Sequence, residues 1–64
     1  MSPRNPELRA SDAEREAVVE QLQRALVQGR LTVSEFDERV QAAYAARTVG
    51  ELAELTRDLP RSLW

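Results

Sequence analysis

The stretch Gly29-Arg30-Leu31-Thr32-Val33-Ser34-Glu35-Phe36-Asp37-Glu38-Arg39 ends one helix, turns the chain and starts another. Each step has a residue suited to it. Gly29 can adopt the left-handed conformation that closes a helix, because it has no Cβ to clash. Thr32 and Glu35 are three apart, the spacing at which each side chain bonds the other's backbone N–H at a helix start. Leu31 and Phe36 flank that start as the two halves of a hydrophobic staple. The run predicts an α-hairpin with its turn at residues 29–32. Thr32→Ala is expected to cost about 1 kcal/mol by removing the cap, measured as a lower melting temperature.

Working outward, the pattern Ser/Thr-x-x-Glu recurs at Ser11/Glu14 and Thr48/Glu51, each just before a helical periodicity. The spacing of the three is unequal, so they are helix starts and not a structural repeat. They predict an all-α, single-domain three-helix module with helices at about 12–28, 33–46 and 49–58. The first helix offers an apolar stripe of Val18, Leu22, Ala25 and Leu26 with Arg15 on the same face, and Val19 lies on the flank. The second offers Val33, Phe36, Val40, Ala43 and Tyr44; the third offers Val49, Leu52, Leu55, Thr56 and Leu59. Pro60 is read as the stop of the third helix, since the residue before a proline resists helical geometry. The expected centre of the core is Phe36, Leu22, Val40, Leu52, Leu26 and Leu59, with Val19 and Val27 left outside it. Residues 1–7 and 61–64 read as tails around a domain at 8–60. A core this small supplies about 3–5 kcal/mol, so a deletion such as Phe36→Ala, on the order of 3 kcal/mol, threatens the whole fold.

Composition narrows function chiefly by exclusion. The 64 residues contain no Cys, His or Lys, and all nine cations are arginine against eleven acids. The usual general base, thiol nucleophile and Schiff-base amine are therefore missing, and the expectation is a non-enzyme without cofactor or metal. Asp37-Glu38 and the Glu14/Glu16 pair have the carboxylates to hold a divalent ion, but neighbouring acids on a helix point apart, which leaves them as solvated faces. A net charge of −2 with signs interspersed implies neither a basic face nor an acidic tail. No apolar run approaches a membrane span, and the first residues lack the apolar stretch of a signal peptide, so a cytoplasmic location is expected.

Two binding readings stay open. Three short helices with a tight turn also describe small helix-turn-helix regulators of nucleic acid, the alternative function. Glu35, Asp37 and Glu38 in the second helix and Glu51, Glu54 and Asp58 in the third would repel phosphate, so nucleic acid is the less favoured partner. A protein partner, or self-association, suits the surface better. Ala42, Ala45 and Ala46 would let another helix approach the second helix closely, although alanine is also simply a good helix former. Leu63 and Trp64 are not needed for the core, and Trp is enriched at interfaces. After caps and staple are assigned, Arg30, Asp37, Glu38 and Arg39 are the residues of the run left over. Either they pair within the domain or, with Leu63 and Trp64, they form the candidate partner surface. Arg47 falls on the apolar side of the second helix and is expected to cap its end or pair with Asp58.

Taken together, Arg9-Ala10-Ser11-Asp12-Ala13-Glu14-Arg15-Glu16, the Gly29–Arg39 run, and Ala43 with Ala46-Arg47-Thr48, Glu51-Leu52, Leu55 and Asp58-Leu59-Pro60 resemble the SHOCT-like domain of unknown function typical of actinobacterial proteins. The likeness covers residues 8–60. It implies a small helical module at the N-terminal, cytosolic end of a protein, often followed by a membrane segment or an envelope-stress-type domain. It implies no catalytic residue and no cofactor, and an oligomerisation or docking role. A chain ending at Trp64 is then a stand-alone copy or an excised N-terminal domain, with peripheral membrane proximity in the second case.

Overall fold

The computed structural model describes residues 8–59, which form α1 (Asp12–Val27), α2 (Val33–Ala45) and α3 (Val49–Glu54). The architecture is all-α, with no strand among the described residues. Every helix begins where a Ser/Thr-x-x-Glu pattern places it. Ser11 and Thr32 form complete capping boxes: the hydroxyls accept from the N–H of Glu14 and Glu35, and those carboxylates accept from the N–H of Ser11 and Thr32. The third start is half a box. Thr48 Oγ1 accepts from the Glu51 N–H, but the Glu51 carboxylate turns back to accept from the Arg47 N–H instead.

The hairpin turn closes as a Schellman motif. The N–H of Arg30 donates to the Ala25 carbonyl at 2.9 Å and that of Gly29 to Leu26 at 3.0 Å, satisfying two carbonyls that the helix end leaves open. Gly29 sits at φ 73°, and nothing lies within 4 Å of where a Cβ would project. Any cost of filling that position is therefore backbone strain and not collision. Gly29→Ala is expected to lose about 1 kcal/mol, and Gly29→Asn less, since asparagine tolerates this region. Urea melts of the two variants check the order. A larger loss for asparagine would mean that side-chain volume decides.

Two apolar clusters make the core. Ala10, Val19, Ala43, Ala46 and Leu52 form one, and Leu22, Ala25 and Leu31 the other; Val18 and Val40 pack against both. Phe36 and Leu59 are half-buried against the second cluster, so Leu31 and Phe36 meet the same core from either side of the α2 start. Leu26 is only half-buried.

Several expectations are corrected. Val19 is buried, because Ala10 from the preceding segment and Ala46 from the end of α2 close over it. Val33 and Tyr44 are exposed despite their place in the periodic stripe. The α2 seam is centred on Phe36, Val40 and Ala43, which places Val33 and Tyr44 on one flank and Arg39 on the other. Ala46 is core and does not belong to a small-residue flank, whereas Ala42 and Ala45 are exposed. α3 ends at Glu54, well before Asp58. From there the N–H groups of Leu55, Thr56 and Leu59 bond to carbonyls three residues back, a tighter winding in which the α-helix does not continue.

One pairing joins segments far apart in sequence. Arg9 and Thr48 form an isolated antiparallel bridge, with the Ala10 N–H on the Arg47 carbonyl at 2.9 Å and the Val49 N–H on the Leu8 carbonyl at 2.8 Å. The segment entering α1 is thus fastened to the connection between α2 and α3.

Candidate functional site

Of the four residues left over in the hairpin run, Arg30, Asp37 and Glu38 are exposed. Arg30 stands on the turn that closes α1. Asp37 accepts a hydrogen bond from Gln41 Nε2 at 3.0 Å, one helical turn on. Arg39 is withdrawn from the surface proposed for it. Its side chain is 24% exposed, and its two terminal nitrogens donate to the two carboxylate oxygens of Asp58 at 2.8 and 3.1 Å. One of them also reaches the Leu55 carbonyl at 3.1 Å. Asp58 is therefore spent on Arg39 and not on Arg47, whose side chain is exposed. Leu63 and Trp64 lie outside the described residues.

The Arg39 contact has a counterpart that the sequence reading missed. Arg15, on α1, donates from Nε to the carbonyl of Ala46 at 3.0 Å and from a terminal nitrogen to Asp12 at 2.8 Å. Ala46 is the C-cap of α2, and Leu55 is the C-cap of α3. Each arginine therefore places positive charge on open carbonyls at the negative end of a later helix. Lysine, whose three donors radiate from one nitrogen, lacks the rigid planar fork that meets both oxygens of a carboxylate while also reaching a carbonyl. The available signal was Arg15 itself, a charged residue on the core-facing stripe of an amphipathic helix.

These contacts perturb the carboxylates. The Asp58 pKa is lowered, chiefly by the hydrogen bonds from Arg39; that of Glu35 is lowered, chiefly by the Thr32 N–H and then by its hydroxyl. Both groups bind protons more weakly folded than unfolded. Their stabilisation is full above the ordinary values of 3.8 and 4.5 and is lost as pH falls through the depressed folded values. The melting temperature is expected to start falling below about pH 5, with a shallower fall in Asp58→Asn. An equal acid slope in that variant would remove Arg39–Asp58 as a source. The Tyr44 pKa is raised, first by desolvation and then by the charge of Glu16, to which its hydroxyl donates at 3.4 Å.

The remaining surface offers apolar groups and shallow relief. Val27 is 86% and Val33 72% exposed, on either side of the hairpin turn, and Leu8 and Tyr44 are also exposed. A groove of about 230 Å³ between α1 and α3 is lined by Ala17, Val18, Val49, Leu52 and Ala53 with Glu14 at its rim. An open hollow along α1 is bordered by Glu16, Val19, Glu20, Gln23, Arg24 and Val27. Among the described residues no three acids converge in a metal-binding geometry, and no helix is long and apolar enough to cross a membrane.

Comparison with known proteins adds a family. A model of the DUF1707 SHOCT-like domain matches residues 8–60. Uncharacterized proteins from two strains of Mycobacterium tuberculosis are each 42% identical over 57 residues, which is 89% of this chain and 28% of theirs. The chain thus spans little more than a quarter of the length of those relatives. No solved structure gives a significant match.

Proposed function

This chain belongs to the DUF1707 SHOCT-like domain family, and from the surface its three helices present we propose that it is a non-catalytic interaction module, binding another protein or a second copy of itself. The observation that carries this reading is the pair of exposed valines, Val27 and Val33, beside exposed Arg30 at the hairpin tip. A domain with so few apolar side chains to bury leaves two of them in water at one end. Apolar surface rimmed by polar residues is where contact surfaces gather, and these two side chains are its exposed apolar part here. Asp37 and Glu38 continue the polar margin along α2. The reading extends to a docking unit in the cytoplasm, serving a longer protein at the membrane's cytoplasmic face. The M. tuberculosis relatives, with most of their length outside the matched region, are consistent with such attachment.

Binding to nucleic acid finds less support. Arg39, the cation of α2, is engaged with Asp58, which leaves Glu35, Asp37 and Glu38 to dominate that helix. Light scattering of the full chain across concentration tests the favoured reading. The apparent mass is expected to rise with concentration, and Val27→Glu with Val33→Glu to suppress the rise. A strictly monomeric chain that also captures no protein partner overturns the proposal, and salt-dependent affinity for DNA would put the alternative in its place.

A further inference from the structure

The two ends of α3 are held very differently. Its start is fixed by backbone: Val49 donates to Leu8 and Ala10 to Arg47 across the Arg9–Thr48 bridge, with buried Ala10 and Ala46 beneath. Its end is held by no backbone pairing to another segment: Arg39 of α2 reaches the Leu55 carbonyl and the Asp58 carboxylate, and the half-buried side chains of Leu55 and Leu59 rest on the core. Between the two ends lie six helical residues with a single buried side chain, Leu52. A helix of that length has no stability of its own in water. Yet the segment covers both halves of the core, since Leu52 and Leu55 pack on the Ala10–Val19–Ala43 cluster and Leu59 on the Leu22–Ala25–Leu31 cluster. α1 and α2 also contact one another directly, through Val18, Leu22, Phe36 and Val40 around Leu31.

We propose that residues 50–59 form a strap that opens as a unit from a hairpin of α1 and α2 that remains folded, pivoting after the Arg9–Thr48 bridge, with Arg39 as its catch. The closed state is the one described above. In the open state Arg39 is released from Leu55 and Asp58, and the faces of Val18, Val40 and Ala43 that Leu52 and Leu55 covered become accessible. The device is independent of whether the module binds a partner. Opening of local cooperative units below the global free energy is the general behaviour on which it draws.

Native-state amide exchange of the full chain, followed by NMR in rising sub-denaturing urea, tests it. Once detached, α3 cannot keep its hydrogen bonds, so the amides of Leu52, Leu55, Thr56 and Leu59 are expected to exchange about tenfold or more faster than those of Leu22, Ala25 and Ala43, with a weaker dependence on urea. Leu52 is decisive, because simple fraying of the last turn leaves it as protected as the core. A Leu52 amide that exchanges with the rate and urea slope of Leu22 overturns the strap. The role of the catch is read separately in Arg39→Gln. Resonances of residues 50–59 are expected to move towards random-coil positions while those of α1 and α2 stay dispersed. Unchanged resonances in residues 50–59 would remove Arg39 as the catch, and simultaneous loss in all three helices would refute independent opening.

Discussion

Leu22→Ala is expected to leave the domain unfolded, or close to it, at room temperature. Among the described residues Leu22 is the largest side chain that is fully buried. It sits in α1 where Ala25 and Leu31 complete its cluster and Val18, Phe36, Val40 and Leu59 pack against it. Truncation removes its transfer free energy and leaves a cavity whose walls are helices tied at several points, so little collapse is available. The usual cost of such a change is about 2–5 kcal/mol, against about 3–5 kcal/mol that a core of this size supplies. Circular dichroism should show most of the helical signal gone at 25 °C. A cooperative melt close to that of the parent would mean that the second cluster is not central to stability.

Phe36→Ala is the next largest effect, and the structure lowers its rank. Sequence alone makes the single phenylalanine the centre of the core. In the fold it is half-buried, a cover over Leu22, Ala25 and Leu31. Part of its ring already faces water, so less area is lost on truncation than for a fully buried ring. A cost of about 2 kcal/mol is expected, below the usual 3–5 kcal/mol for deleting a buried aromatic. Urea denaturation of both variants should place Phe36→Ala as the more stable. The reverse order would restore the phenylalanine to the centre.

What was legible in the sequence was local. Ser11, Thr32 and Thr48 mark the helix starts because a cap is made with a residue three positions away. Gly29 marks the end of α1 because a residue without a Cβ takes the positive φ of the closing turn without strain. The rotation of α2 was not legible, since Val33 and Tyr44 are as periodic as Phe36 and Val40 and only the position of α1 distinguishes them. Nor was the Arg9–Thr48 bridge, which joins segments on opposite sides of the hairpin. The end of α3 is not legible either: Pro60 is the nearest stop visible in the sequence, whereas the α-helix gives way to tighter turns after Glu54. Within the candidate surface, Arg39 could be singled out as unassigned by any cap. Its choice of Asp58 and Leu55 over a partner depended on where α3 came to rest.

The two capping arginines also have a direction. Arg15, in α1, serves the last carbonyls of α2, and Arg39, in α2, serves those of α3. In both cases the side chain that reaches the helix end lies earlier in the chain than the helix it closes. On the ribosome, where the chain emerges from its N-terminus, the guanidinium that will close each of these helices has been synthesised before the helix end it closes. Shortening the protein from the front past Arg15 would strip that hydrogen bond from the end of α2, while shortening it from the back to Thr48 keeps both Arg15 and the Ala46 carbonyl it reaches. The order of the helices is thus also an order of dependence, running one way along the polypeptide.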